Sequence, residues 1–294
     1  MEGDVTVCKL AWDKFLVIAT DTMHRHVGNW LDRNLDPSGV KHVLSSDVTG
    51  GYAQLNVQGP LSRELLKSIT DTDMSDAAFP FRAAKGIFVG YAPLVCARIT
   101  YVGELGYELH IPCEFAQHVY DRVVEAGKQF DLTHCGLKAL GSLRLEKAYR
   151  DYGHDMDNMD SLMEVGLGFT ADMNKADGFL GDHKVRSQKA DLKAAKGLRR
   201  RLVQVLVQDK DAMMYHGEVL WRNDEIVGDV RIGSYGHTLG GPVGLAMVEL
   251  GGSEVVNKSF LESGKWEVEI SNRRFPVRVS LAPMYDPQNT RIKS

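Results

Sequence analysis

The chain has 294 residues, of which 44% are hydrophobic and 25% are charged, a balance typical of a globular protein large enough for two domains. Its net charge of -4 argues against a nucleic-acid surface, and no apolar run approaches the ~20 residues needed to cross a bilayer. The four cysteines lie far apart and form no CxxC pair, which favours reduced thiols over a zinc site or a disulfide framework.

The first part of the chain predicts short strands and helices in alternation. β-rich runs at 4–8 and 14–19 predict two adjacent strands, and apolar positions at helical spacing after Thr22 predict a helix that ends at a turn over 36–39. Strands are then predicted at 40–44 and 52–57. A Gln-Gly-Pro turn leads from the second of these into a helix over 61–69.

The stretch 97–112 has two strand-like runs around a turn marked by glycines. It predicts strands at 98–102 and 107–111 with the turn at 103–106, and another strand precedes it at 87–91. This hairpin would let Tyr101 and Glu108 face one pocket. A buried carboxylate needs hydrogen-bond donors, and the 2-amino group and ring N–H of a pterin form a guanidine-like edge that donates two parallel hydrogen bonds.

The remainder of the chain predicts helices followed by an all-β region. Helices are predicted at 114–127 and 136–151, the second with an exposed Glu146–Arg150 ion pair, before an irregular segment at 153–181 and a polar helix at 181–196. Six short strands then predict a small antiparallel barrel or sandwich. They lie at 201–207, 218–222, 225–231, 243–248, 266–270 and 275–280. This change predicts a first domain over 1–196 and a second over 197–294.

The run 97–112 resembles the folate-binding module of the aminomethyltransferase (glycine-cleavage T-protein) family. In that family a tyrosine and, seven positions on, a glutamate hold the pterin, and Tyr101 and Glu108 occupy those positions here. Leu140 stands where T-proteins carry a folate-holding arginine. This difference makes the chain most similar to the C-terminal part of sarcosine dehydrogenases. Five further runs resemble the same proteins, at 146–150, 197–203, 220–223, 227–231 and 286–291. The resemblance implies an α+β fold with a mixed α/β N-terminal part and a small C-terminal antiparallel β-barrel.

The resemblance also assigns a catalytic residue. Asp4 occupies the first position of the family's Asp-Leu-Ile/Thr-Val strand, where an aspartate accepts a proton or stabilises the cation as a folate nitrogen attacks a methylene carried as an iminium. Thr6 alternates with Asp4 on the predicted strand and would hydrogen-bond the ligand or the aspartate. Without the resemblance, the sequence indicates a frayed terminal residue at Asp4, a strand former at Thr6, a surface residue on an edge strand at Glu108 and a core or interface ring at Tyr101.

The implied function is a module that binds tetrahydrofolate and captures the one-carbon unit of sarcosine as 5,10-methylenetetrahydrofolate. The chain shows no counterpart of the family's flavin domain and looks truncated before Asp4, so FAD is expected only from a missing domain or a partner subunit, and no metal site is expected. A catalytically inactive folate-fold binding or regulatory module and a T-protein-like aminomethyltransferase stay open as alternatives. The resemblance implies the mitochondrial matrix, with the cytoplasm as the alternative, because the N-terminus shows no targeting pattern.

Overall fold

In the computed structural model, residues 1–35, 42–194 and 197–294 are described. The chain forms two compact units. The N-terminal unit comprises Asp4–Leu140 and Gln288–Ser294, and the barrel unit comprises Met1–Gly3 and Gly141–Pro287.

The N-terminal unit begins with a two-stranded antiparallel sheet. Its strands are β1 (Thr6–Lys9) and β2 (Phe15–Ile18), and helix α1 (His24–Asn34) follows. Because β1 begins at Thr6, Asp4 precedes the strand that was predicted to contain it. The predicted end of α1 at 36–39 and the start of the predicted strand at 40–44 lie outside the described residues. The described part of that strand, 42–44, has no regular structure, so the prediction is wrong there.

A four-stranded antiparallel sheet forms the main part of this unit. It contains β3 (Tyr52–Gln58), β4 (Ala84–Val89), β5 (Ala92–Ala97) and β6 (Gly106–Pro112), in the order β3-β6-β5-β4. Helices α2 (Ser62–Lys67) and α3 (Ala116–Gly127) contribute Leu65, Leu66, Val119 and Val123 to the same core as one face of the sheet. Alternate residues of the strands, including Val57, Tyr107, Leu109 and Ile111, fill that core.

The predicted strand at 98–102 and turn at 103–106 are wrong, because β5 ends at Ala97 and residues 98–105 form a loop. The cause is the side chain of Arg98, which is 1% exposed, pairs with Asp76 and donates to the Phe79 carbonyl at 2.8 Å. The other end of the loop is fixed by the Gly59 N–H, which donates to the Leu105 carbonyl at 2.8 Å. These long-range contacts override the local β-propensity of the segment.

The barrel unit contains a closed barrel of six antiparallel strands, which is one of the two architectures that the strand pattern predicted and the one that the family resemblance implied. Helix α4 (Leu137–Glu146) leads into this unit and α5 (Asp182–Lys193) precedes the barrel. The strands are β7 (Arg200–Val207), β8 (Val219–Arg222), β9 (Glu225–Gly236), β10 (Gly241–Glu249), β11 (Trp266–Ile270) and β12 (Arg273–Ser280), with α6 (Lys258–Glu262) before β11. They close in the order β10-β7-β12-β11-β8-β9 around a core of valines and other apolar residues.

Two buried ionic groups hold the start of the barrel unit together. Arg144 pairs with Asp155, with Nη2 3.1 Å from Oδ1, and both side chains are at most 5% exposed. Glu146 is also buried, at 1% exposed, so its predicted surface position is wrong. Its carboxylate accepts hydrogen bonds from the backbone N–H groups of Thr238 and Leu239 at 2.7 and 2.8 Å, which fixes the loop between β9 and β10.

Candidate functional site

The four-stranded sheet of the N-terminal unit has a second face, opposite the core. Glu108 points to this face from β6, the strand between β3 and β5, so the edge-strand reading of this residue is wrong. In register, Glu108 lies opposite Asn56 on β3 and Ala97 on β5, and His110 lies opposite Gln54 and Val95. We call the polar residues here, Gln54, Asn56, Glu108 and His110, the polar face.

Glu108 is a carboxyl group in a largely buried position. Its side chain is 14% exposed, and burial raises the pKa of its carboxyl. The His110 side chain is 6% exposed, burial lowers the pKa of its ring, and its Nε2 lies 3.9 Å from Oε2 of Glu108. Because burial penalises the charged form of each group, hydrogen-bond donors supplied by a ligand would stabilise Glu108 as a carboxylate.

On β1, the thiol of Cys8 lies close enough to Glu108 for the charge of the carboxylate to affect it. Burial and the charge of Glu108 both raise the pKa of the Cys8 thiol, in that order of size. Thr6 shares its side of β1 with Cys8, since the two are separated by one residue, and it is half-buried opposite Ile18. Thus the strand that carries Thr6 is brought to Glu108, while Asp4 is exposed just before that strand.

Tyr101 lies in the loop at 98–105, where it is half-buried, rather than in a strand. The glycines around it have separate roles. Gly103 has φ of 77°, a left-handed conformation that favours glycine. Gly106 makes room for Gln58, because a Cβ at this position would lie 1.8 Å from Gln58 Oε1. The glycine pattern therefore marks a loop and a close contact at the start of β6, not a tight hairpin turn.

A cavity of about 560 Å³ in the N-terminal unit is lined by residues other than those predicted for the site. Its lining comprises 67–72, Phe88, Gly90 and Arg122. Among the described residues, no group of three or more His, Cys, Asp or Glu side chains is arranged to hold a metal ion. Within the same ranges, no helix has the length and apolar character required to span a membrane.

Sequence reasoning placed Glu108 on the correct strand but missed His110, Cys8 and Gln58. The signal for His110 was present, because residues two apart on a strand share a face, so Glu108 and His110 had to lie side by side. Cys8 and Gln58 depend on contacts between separate strands, which the local pattern does not contain.

Family models match both parts of the chain. The GCVT N-terminal domain matches residues 1–175, and the glycine cleavage T-protein C-terminal barrel domain matches residues 200–286. The chain therefore belongs to the glycine-cleavage T-protein family of aminomethyltransferase-type domains.

Within this family the chain is similar to an oxidase and to a dehydrogenase. It is 36% identical to 4-methylaminobutanoate oxidase (formaldehyde-forming) of Paenarthrobacter nicotinovorans, over all of this chain and 34% of that protein. It is 34% identical to human mitochondrial sarcosine dehydrogenase, over 84% of this chain and 26% of that protein. The chain thus spans about a third or less of the length of these relatives.

The fold agrees with a solved structure of the same family. Aminomethyltransferase T of the glycine cleavage system from Bartonella henselae superposes with a TM-score of 0.68 and 20% identity, over 96% of this chain and 72% of that one. This confirms the predicted aminomethyltransferase-type fold.

Proposed function

We propose that this chain binds tetrahydrofolate at the polar face and receives a one-carbon unit there, forming 5,10-methylenetetrahydrofolate as part of a sarcosine dehydrogenase-like enzyme. The observation that carries this proposal is Glu108, a carboxyl group that a central strand holds at 14% exposure. A carboxylate in such a place requires donors, and the pterin edge supplies two that match its oxygens. Family membership supports the same ligand.

The other predicted residues take roles around this contact. Tyr101, in the loop that leads to β6, would contact the pterin ring, and Thr6, on the half-buried side of β1, would hydrogen-bond the ligand. Asp4 is exposed to solvent before β1, where a carboxylate can accept a proton. As one folate nitrogen attacks the iminium carbon, a C–N bond forms, the C=N π pair moves to the amine nitrogen and the folate nitrogen loses its proton to Asp4. The second folate nitrogen then bonds to the same carbon, the original C–N bond breaks, and the amine leaves as it takes up the protons that the two folate nitrogens lost.

The oxidation that produces the iminium is assigned to a flavin outside this chain, in a further domain or a partner subunit. We expect the isolated chain to bind no FAD and to oxidise no sarcosine.

Release of the one-carbon unit as formaldehyde is the second candidate function, and the name of the relative from Paenarthrobacter favours it. We propose the mitochondrial matrix as the compartment, because the human sarcosine dehydrogenase is named as mitochondrial, and the cytoplasm is the alternative.

Calorimetric titration of the chain with tetrahydrofolate, without oxygen, tests the proposal. Glu108→Ala removes two charge-assisted hydrogen bonds worth about 1.5–3 kcal/mol each, so the affinity should fall at least about 100-fold. Glu114→Ala, an exposed residue of the same unit, is the matched control and should bind like the parent. Equal affinity of the Glu108→Ala variant and the parent would contradict the assignment.

Asp4→Asn separates transfer from binding. This variant should keep the affinity for tetrahydrofolate while it loses most of the protein-dependent formation of 5,10-methylenetetrahydrofolate from an iminium made by mixing formaldehyde with a secondary amine. The rate without protein is subtracted. If the parent binds folate but adds nothing to that rate, the chain is a binding module and the transfer role is wrong.

A further inference from the structure

His110 is a buried side chain beside Glu108 to which the proposed folate contacts give no role. It follows Glu108 by two residues on β6 and therefore shares its face of the sheet. Its Nε2 is buried and has no hydrogen-bond partner among the described residues, although buried polar atoms in folded proteins nearly always have one.

The carboxyl group of Glu108 is a titratable neighbour of this nitrogen. The separation of 3.9 Å between Nε2 and Oε2 is too long for a hydrogen bond. A side-chain rotation that shortens this distance by about 1 Å would bring the two atoms within hydrogen-bond distance. The residues beside the pair on the adjacent strands are two neutral amides and two apolar side chains, Gln54, Asn56, Val95 and Ala97. On β1, burial and the charge of Glu108 raise the pKa of the Cys8 thiol above its usual value near 9, so the thiol is neutral at physiological pH.

We propose that His110 takes up the proton of Glu108 when a ligand with a guanidine-like donor edge binds. The O–H bond of the Glu108 carboxyl group breaks and an N–H bond forms at Nε2 of His110. The ligand then meets a carboxylate, and the proton remains within the pair. The identity of the ligand rests on the proposed function, whereas the coupling between the two side chains does not.

The environment of each group supports this transfer. In the empty site, burial raises the pKa of Glu108 and lowers the pKa of His110, so it favours the neutral form of each group, and the proposed transfer starts from the proton on the carboxyl group. Two ligand donors favour the carboxylate, and the carboxylate beside the ring favours the imidazolium. A transfer inside the pair lets the site gain a charge-assisted contact without releasing a proton to solvent.

The first test measures protons during folate binding. We expect the parent to exchange no net proton with the buffer when tetrahydrofolate is titrated at pH 7.5 in phosphate and in Tris, and the ring nitrogens of His110 to shift to the imidazolium position in NMR spectra. His110→Gln should release protons to the buffer when folate binds, and its affinity for folate should increase as the pH rises toward the pKa of Glu108. His134→Gln, at an exposed histidine of the same unit, should behave like the parent.

Two outcomes overturn the inference: a neutral His110 ring in the folate complex, or the same proton release in the parent and in His110→Gln. A further measurement needs no folate. In the empty parent at pH 7.5, infrared spectra should contain the C=O band of a protonated carboxyl group that Glu108→Gln removes, and absence of this band would refute the transfer. If tetrahydrofolate fails to bind while this band is present, the proposed function is wrong and the protonated Glu108 beside His110 is retained.

Discussion

Gly106→Ala tests how closely Gln58 packs at the start of β6. A Cβ at residue 106 would lie 1.8 Å from Oε1, 2.4 Å from Cδ and 2.8 Å from Nε2 of Gln58. Ordinary contacts begin near 3.4 Å, so the amide must move by roughly 1.6 Å, and such overpacking typically costs about 1–3 kcal/mol. Because Oε1 has no hydrogen-bond partner among the described residues, its displacement breaks no bond at that atom, and we expect the lower half of this range.

Urea denaturation followed by circular dichroism, together with hydrogen exchange of the β6 amides, measures the effect. Gly86→Ala is the matched control, because Gly86 lies on β4 of the same sheet and has no atom within 4 Å of an added Cβ. It should change stability little or raise it by about 0.4–1 kcal/mol. Trimming Gln58 to alanine in the Gly106→Ala background should recover most of the loss, as expected for two residues in contact.

Close packing of Gln58 against Gly106 is refuted if Gly106→Ala is as stable as Gly86→Ala, or if the Gln58 substitution recovers none of the lost stability. In the first case the side chain of Gln58 moves away at no cost, and in the second the destabilisation arises from the backbone of β6.

Three further predictions concern buried ionisable groups. Asp155→Ala removes the carboxylate that pairs with the buried Arg144 and should lower the stability of the barrel unit by about 3–5 kcal/mol in urea denaturation. Glu146→Ala removes the acceptor of two backbone N–H groups and should cost about 1–3 kcal/mol, with faster hydrogen exchange in the loop at 237–240. A carboxyl whose pKa rises on folding binds its proton more tightly when folded, so the free energy of unfolding of the parent should fall as the pH rises through the raised pKa of Glu108, and Glu108→Gln should remove this part of the pH dependence.

The barrel was predictable because its strands carry their own signals. The strand at Trp266–Ile270 has the predicted bounds, since apolar alternation and the flanking turns fix both ends. β9 was predicted to end at residue 231 but continues to Gly236, where it pairs with Gly241 of β10. Its glycine-containing end has weak β-propensity, and the partner strand decides its length.

The candidate site was predictable only in part. The strand that carries Glu108 was found from its local pattern, and the assignment of Tyr101 came from the family resemblance. The loop at 98–105 was missed because the partners of Arg98 lie far away in sequence, at Asp76 and Phe79. For the same reason, a helix pattern placed Glu146 at the surface, whereas its backbone partners lie about ninety residues further along the chain.

The division of the chain has a consequence for dissecting it. The polypeptide passes from the barrel unit to the N-terminal unit after Gly3, returns after Leu140 and crosses once more after Pro287. The Met1 ammonium group contributes to this arrangement, since it donates to the Asp160 carbonyl at 2.8 Å. No single proteolytic cut can therefore separate the two units, and an isolated barrel would need its first three residues supplied by a new covalent connection.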